Sequence, residues 1–219
     1  MSLANFSVEA LPAVVNTSKV RPAGRIASIV SYTKRAAVIL GSFLSAGVGL
    51  AGLYLAALQM DDNFHAVVPG ELYRSAQPTA ALIAEYREGY AIKTIINLRG
   101  DNTGSGWYDS EVAEARTLGI AHIDFRMSAR REMTTAQFDQ LMDVFHKAEK
   151  PILVHCNSGA DRSGLVSALY VAAIAKLGEE AAEDQISFRY GHIPLPVSSA
   201  YAMDRSFEAF EAVLGFPNS

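Results

Sequence analysis

The sequence has a single cysteine, Cys156, among its 219 residues. A lone cysteine excludes an internal disulfide and a cysteine-rich zinc site, and it leaves two roles, a small buried apolar side chain or a reactive thiol. The chain also lacks a basic excess, since its net charge is −4. That balance argues against nucleic acid as a partner. Half of the residues are hydrophobic, which suffices for one domain with a proper core.

Charged residues are absent from the run between Ala36 and Met60. The run exceeds the roughly 20 apolar residues that a helix needs to cross a bilayer. It shows almost no polar stripe of the kind expected for a buried core helix, and it begins far from Met1 for a signal peptide. We therefore predict one transmembrane helix at residues 36–60, which makes the lipid bilayer a partner of the chain.

The two flanks of this run carry opposite charges. Lys34 and Arg35 precede it, whereas Asp61 and Asp62 follow it. The positive-inside rule places the basic flank in the cytoplasm and the rest of the chain across the membrane. Residues 1–35 show no sustained periodicity, so we predict a largely disordered cytoplasmic tail there. Residues 61–219 are expected to form one domain on the non-cytoplasmic side.

Strand and helix patterns alternate along residues 63–219. Four short apolar strands are predicted at ELYRSA, TIINLR, IAHIDF and PILVHC. Helical patterns separate and follow them, with Thr79 as the expected cap of the first and Asp109 or Ser110 as the expected cap of the second. Strands separated by helices predict an α/β fold with a mostly parallel central sheet flanked by helices on both faces.

The stretch PILVHCNSGADRSGL at residues 151–165 carries the strongest chemical signal. An apolar strand runs into a short loop of small residues, and an apolar helix begins at once. Loop N–H groups and the positive end of the helix then converge on one point, which predicts an anion site. Such a site favours a thiolate at Cys156, and the planar guanidinium of Arg162 can pair two phosphate oxygens.

The remaining residues of this segment are predicted to bind the substrate. The hydroxyl of Ser163 can donate a hydrogen bond to the cysteine sulfur, and the loop itself supplies the backbone N–H groups. An inward carboxylate would repel phosphate, so the Asp161 side chain is expected to point away and brace the loop. The predicted substrate-binding residues are Asn157, Ser158, Gly159, Ala160, Asp161 and Ser163.

The segment HCNSGADRSG matches the HC-x5-R-[ST] signature of protein tyrosine phosphatases, and its late position resembles the dual-specificity branch. LYRSAQP at 72–78 and INLRG at 96–100 resemble segments of atypical dual-specificity phosphatases of bacteria, plants and fungi. The resemblance implies a cysteine-dependent phosphatase fold in which Cys156 forms a cysteinyl-phosphate. The scattered histidines have no metal-ligand spacing, so we assign neither a metal nor a cofactor.

The family also uses an aspartate general acid upstream of the cysteine. Asp124, at the end of IAHIDF, is the preferred candidate, although a loop hydrogen bond is its alternative role. The following loop, FRMSARREMT, has no aspartate, and Glu132 is the competing candidate. His155 points to the face opposite Cys156 and is expected to bond to backbone. Arg99 is expected either to brace the active-site face or to lie on the surface.

The loop interior at 157–161 contains neither Lys nor Arg. This absence favours a phosphorylated protein as substrate, phosphotyrosine above all and phosphoserine or phosphothreonine besides, over a polyphosphorylated inositide. Three alternatives stay open at this point. They are a pseudophosphatase that binds phosphorylated partners without turnover, a phosphoinositide phosphatase, and a sulfurtransferase of the rhodanese kind.

Overall fold

A computed structural model describes residues 23–217 of the chain. The chain divides into two units within its first helix, after Leu50. The helices α1 to α7 have the bounds Ala23–Met60, Ala80–Tyr90, Gly106–Thr117, Thr135–Lys147, Asp161–Leu169, Glu179–Glu183 and Ala202–Leu214. The strands β1 to β5 have the bounds His65–Val68, Leu72–Ser75, Thr94–Asn97, Ala121–Asp124 and Ile152–His155.

The long helix α1 contains the predicted membrane segment. Its stretch Ala37–Met60 is long and apolar enough to cross a membrane, by length and composition alone, and large side chains such as Phe43 and Leu44 are exposed. The helix begins at Ala23, so the part of the predicted disordered tail that the structure describes is helical instead. Residues 1–22 of that predicted tail lie outside the described residues.

The five strands form one sheet in the order β1-β2-β5-β3-β4. Strand β1 pairs antiparallel with β2, whereas β2, β5, β3 and β4 are parallel. This arrangement agrees with the expected mostly parallel sheet. Strand β1 was not predicted, because a four-residue edge strand has too few alternating positions to stand out from a loop.

Both faces of the sheet are covered. Ile95 and Leu153 lie in a core cluster with residues of α2 and α3, whereas their strand neighbours Ile96 and Val154 lie in a second cluster with residues of α4, α5 and α7. Successive side chains of a strand point to opposite faces, so each buried strand contributes to both clusters. The central strand β5 is buried along its whole length.

Helix caps agree with expectation at one helix and differ at another. The Thr79 side chain accepts the N–H of Leu82 and caps α2 as predicted. The cap residue of α3 is Ser105 rather than Asp109 or Ser110, and Asp109 instead accepts the N–H of Gly104 at 3.1 Å. The long apolar helix expected after the cysteine loop also divides, into α5 and a π-helical turn at Tyr170–Ile174.

The register of the sheet places four polar residues side by side at the carboxyl ends of its parallel strands. Ser75 and Asn97 lie on either side of His155, and Asn97 pairs in turn with Asp124. These positions are the carboxyl ends of four parallel strands, where ligand sites of open α/β sheets form. The loop that follows His155 therefore leaves the central strand at the carboxyl end of the sheet, where a site is expected.

Candidate active site

The predicted cysteine loop lies between the central strand and a helix. Cys156 follows the last residue of β5 and is 1% exposed, and α5 begins at Asp161. The intervening loop is short, with Gly159 and Ala160 buried and Asn157 exposed. The backbone therefore curls tightly between the sheet and the N-terminus of α5, as the sequence predicted.

The carbonyl groups of this loop accept hydrogen bonds from residues behind it. The carbonyl of Asn157 accepts the N–H of Gln77 at 3.3 Å. The carbonyls of Gly159 and Ala160 accept Nη2 of Arg74 at 2.8 Å and 2.9 Å. Because the C=O and N–H of a trans peptide point in opposite directions, the N–H groups of the same peptides face away from these donors.

Arg74 is one of the residues at this site that had no predicted role. It is fully buried, and its Nη1 also donates to the carbonyl of Gln185 at 2.8 Å. Burial lowers the pKa of its guanidinium to about 10, so the group is still charged at neutral pH. An arginine within the buried strand LYRS was the available signal, because a buried charge requires partners.

Gly159 is required by a close approach of the backbone. Its φ is +71°, and an added Cβ would lie 2.7 Å from the amide nitrogen of Ala76 and 2.8 Å from the carbonyl carbon of Ser75. A side chain at this position would therefore combine an unfavourable left-handed conformation with a clash against β2. The loop consequently packs directly on the end of the neighbouring strand.

Arg162 and Ser163 bring unused hydrogen-bond donors to the loop. Nη1 of Arg162 donates to the carbonyl of Leu98 at 3.3 Å. Within the described residues, the buried Nε of Arg162 and the buried Oγ of Ser163 have no hydrogen-bond partner. The hydrogen bond expected from Ser163 to the sulfur of Cys156 is therefore not present in this structure. Buried donors without acceptors are costly, and a bound oxyanion would supply acceptors to both.

A charged network lies behind the cysteine. His155 Nε2 lies 2.8 Å from Oε1 of Glu111, and His122 Nε2 lies 2.7 Å from the same atom. Burial alone would raise the pKa of Glu111, but hydrogen bonds from His122, His155 and Gln77 outweigh it and bring that pKa to about 2. The expectation that His155 bonds to backbone was therefore wrong, because a buried carboxylate from α3 reaches its ring.

Arg99 lies beside Arg162. Its guanidinium stacks 3.6 Å over the ring of Trp107, and its Nη1 donates to Oε1 of Gln77 at 2.8 Å. Burial and the nearby charge of Arg162 lower the pKa of Arg99. Of the two roles expected for Arg99, the structure therefore supports bracing at the active-site edge.

The two candidate general acids have different surroundings. Asp124 lies at the carboxyl edge of the sheet, where Oδ1 accepts Nδ2 of Asn97 at 2.9 Å and Oδ2 accepts the hydroxyl of Tyr108 at 2.5 Å. Burial, and then the bond to Asp124, raise the pKa of Tyr108, so the phenol is a stable donor. Glu132 accepts Nε of Arg205 at 2.5 Å, which directs its carboxylate to α7.

Asp161 is held outside the loop. Its Oδ1 lies 2.8 Å from Nδ1 of His192, and Nε2 of the same ring lies 2.9 Å from Oδ2 of Asp204. Burial lowers the pKa of His192, but the two carboxylates outweigh that effect and raise it. The Asp161 carboxylate is thus engaged by a histidine, in agreement with the expected bracing role.

Carboxylates also cluster away from this loop. Among the described residues, Glu179, Glu183 and Glu211 have oxygen atoms close enough together to hold a cation. The residues of the cysteine loop are not part of this cluster.

Comparisons with known proteins agree with this geometry. The family model described as "Swiss Army Knife protein, DSP-PTPase phosphatase domain" matches residues 61–201, well over half of the chain. The crystal structure of TpbA from P. aeruginosa is 23% identical and covers 72% of this chain and 92% of its own, with a TM-score of 0.53. A second TpbA structure, of a cysteine-to-serine variant, contains pTyr.

Two further solved structures share the fold. The catalytic core of the PP-IP phosphatase SIW14 from S. cerevisiae is 21% identical and covers 71% of this chain and 93% of its own, with a TM-score of 0.51. PTPMT1 in complex with PI(5)P is 15% identical and covers 69% of this chain and 99% of its own, with a TM-score of 0.53. At these identities the likeness shows the fold alone.

Proposed function

Since this chain belongs to the Swiss Army Knife DSP-PTPase phosphatase domains, and so to the atypical dual-specificity branch of the protein tyrosine phosphatases, we propose that it hydrolyses phosphotyrosine in proteins. Phosphoserine and phosphothreonine are further proposed substrates. The observation that carries the proposal is the loop after β5. It combines N–H groups that face away from Arg74 with the unpartnered donors of Arg162 and Ser163, a set that fits a tetrahedral oxyanion.

The reaction proceeds in two steps on Cys156. The thiolate attacks phosphorus in line, an S–P bond forms, and the P–O bond to the substrate breaks. Arg162 and the loop N–H groups stabilise the equatorial oxygens in the transition state. Asp124 gives its proton to the leaving oxygen. Water then attacks phosphorus, its proton passes to the Asp124 carboxylate, and the S–P bond breaks to release inorganic phosphate and the thiolate.

Asp124 is the better supported of the two candidate acids. It ends β4, and Cys156 follows β5 at the same carboxyl end of the sheet, with β3 between the two strands. Glu132 is instead paired with Arg205, which directs its carboxylate to α7. Donors from Asn97 and Tyr108 fix the orientation of the Asp124 carboxylate.

A polyphosphorylated ligand is the second candidate substrate. Arg99 lies close enough to Arg162 for the charge of Arg162 to lower the pKa of Arg99. The guanidinium of Arg99 is therefore a second positive charge beside the loop. A second phosphate would relieve that repulsion. The PP-IP phosphatase and the PI(5)P complex among the structural relatives act on or hold ligands of this kind. The absence of Lys and Arg from 157–161 favours the phosphoprotein.

Substrate assays on the purified full chain test the function. We expect hydrolysis of para-nitrophenyl phosphate and a phosphotyrosine peptide, and loss of both in Cys156→Ser. Activity that prefers PI(5)P vesicles or an inositol pyrophosphate would replace the phosphoprotein with the second candidate. Tight phosphopeptide binding without turnover by the wild-type chain would indicate a pseudophosphatase, and thiocyanate formation from thiosulfate and cyanide would indicate a sulfurtransferase.

We further propose that α1 anchors the enzyme as a single-pass membrane protein with the catalytic domain outside the cytoplasm. Lys34 and Arg35 before the apolar run, and Asp61 and Asp62 after it, support this orientation. Of the predicted span at 36–60, the last residues contact the catalytic domain, beginning with Tyr54 at the carbonyl of Arg189. The remaining residues 36–53 would span about 27 Å as a helix, close to the thickness of a hydrocarbon core. An alkaline phosphatase reporter fused after Asp62 should be active in cells, and an inactive reporter would reverse the orientation.

A further inference from the structure

The end of α1 contacts the cysteine loop directly. Nε2 of Gln59 donates to the carbonyl of Ser158 at 3.1 Å, and Nδ2 of Asn63 donates to the same oxygen at 2.9 Å. Gln59 lies in the last turn of the helix and Asn63 three residues after its end. Gln59 falls within the predicted membrane span and Asn63 had no predicted role, so the contact with the cysteine loop was not foreseen for either residue.

The Ser158–Gly159 peptide is the one whose orientation most needs support. Gly159 has no Cβ to restrict its backbone, and its φ is +71°, so rotation of this peptide is easier than rotation of its neighbours. The peptide is planar, so a rotation that moves the Ser158 carbonyl into the loop also removes the Gly159 N–H from it. A carbonyl at that place would repel a phosphate oxygen.

The donors to this carbonyl differ from those of the other loop peptides. Arg74 holds the carbonyls of Gly159 and Ala160, and the Gln77 N–H holds that of Asn157. Within the described residues, the carbonyl of Ser158 accepts from Gln59 and Asn63 alone. The orientation of the Gly159 N–H therefore depends on two amide side chains outside the cysteine motif.

The helix end is itself fixed to the residues around it. The Tyr54 hydroxyl donates to the carbonyl of Arg189 at 2.6 Å, and its ring stacks on Phe188. Leu58 is buried. Asn63 is 1% exposed, and its Nδ2 also donates to the carbonyl of Tyr190 at 2.9 Å. Gln59 and Asn63 are consequently presented to Ser158 from an ordered segment.

We propose that Gln59 and Asn63 are positioning residues for phosphate binding, and that the end of α1 is therefore part of the catalytic apparatus as well as part of the anchor. The proposal rests on the proposed function, because it assigns the Gly159 N–H to the phosphate. The two side chains act through the Ser158–Gly159 peptide and do not touch the substrate. Loss of either donor should weaken binding of the oxyanion in both the ground state and the transition state.

Gln59→Met in the full chain is the main test, because Gln59 is exposed and Met keeps its length without a donor. Met60→Ala is the matched control, since Met60 is 86% exposed at the same helix end. We expect Gln59→Met to weaken binding of inorganic phosphate, measured by calorimetry, about fivefold, the usual effect of one hydrogen bond. Its kcat/KM should fall by a similar factor, with an unchanged Tm.

Asn63→Asp should have a larger effect, because it replaces a donor to two carbonyls with an acceptor. Gln59→Met keeps the test decisive if this buried variant does not fold. A wild-type chain that turns substrate over, with phosphate affinity and kcat/KM equal in Gln59→Met and Met60→Ala, would overturn the positioning role and leave the function intact. Phosphate binding without turnover, weakened by Gln59→Met, would instead overturn the function and support the positioning role.

Discussion

Two loops leave the same edge of the sheet and differ in how firmly they are held. The loop after β5 is buried at Gly159 and Ala160, and Arg74 binds it from behind. The loop after β4, residues 125–134, is exposed at half of its positions and lines a surface cavity of about 650 Å³ with Arg126, Arg131 and Glu132. Because both follow parallel strands, topology alone does not distinguish them.

This difference matches the two roles proposed for the loops, oxyanion binding and general acid catalysis. A cradle for an oxyanion needs several donors fixed in advance, since reorganisation during the reaction costs rate. A general acid needs one carboxyl group at the right place, and the surrounding loop can vary. Substitutions that disturb the firmly held loop should therefore cost more than substitutions in the exposed loop, and the following predictions test that ranking.

The largest effect is expected for Arg162→Lys. Lysine keeps the charge but loses the planar fork that pairs two phosphate oxygens, so we expect kcat to fall by about 10² to 10³-fold with little change in Tm. Arg131→Lys in the exposed loop is the matched control and should retain wild-type kcat. Equal kcat values for the two variants would remove the distinction between the loops.

A smaller loss is expected for Asp124→Asn. Without a proton donor, kcat for a phosphotyrosine peptide should fall by about 10²-fold. The loss should be less for para-nitrophenyl phosphate, whose leaving group needs little protonation. Glu132→Gln should leave both rates unchanged, because its carboxylate is paired with Arg205. The reverse pattern, a loss in Glu132→Gln alone, would move the acid into the exposed loop.

The stability of the firmly held loop is tested by Gly159→Ala against Gly104→Ala. Both glycines have positive φ, but an added Cβ has open space at Gly104 and meets the backbone of Ser75 and Ala76 at Gly159. Gly104→Ala should lower the free energy of unfolding by about 1 kcal/mol. Gly159→Ala should lower it by about 2 kcal/mol more. Denaturant titrations measure both, and equal values would show that the close approach to β2 is unimportant.

The smallest effect is expected from pH acting on His192, which joins Asp161 of the loop to Asp204 of α7. Its folded-state pKa is raised above the usual 6.5, so its contribution to stability is complete below pH 6.5 and is lost as pH rises through the higher value. The free energy of unfolding should therefore decline as the pH rises above 6.5. In His192→Asn this part of the decline should disappear, and an unaltered slope would exclude the ion pairs as its source.

Much of the fold was predictable because its signals are local. Four of the five strands and the Thr79 cap follow from apolar runs and capping residues, which report the backbone of their own segment. Strand β1 and the division of the helix after Cys156 were missed. Their formation depends on neighbours, β2 for the strand and the surrounding core for the π-helical turn.

The sequence by itself determined where the proposed nucleophile and its arginine lie, since strand, Cys156, loop and Arg162 are contiguous along the chain. Tertiary structure alone decided what supports them. Arg74 lies 85 positions from Gly159, Asn63 lies 95 from Ser158, and Glu111 lies 44 from His155. Hydrogen bonds act over about 3 Å, so such partners meet only after the sheet has formed, and no local pattern in the chain records them.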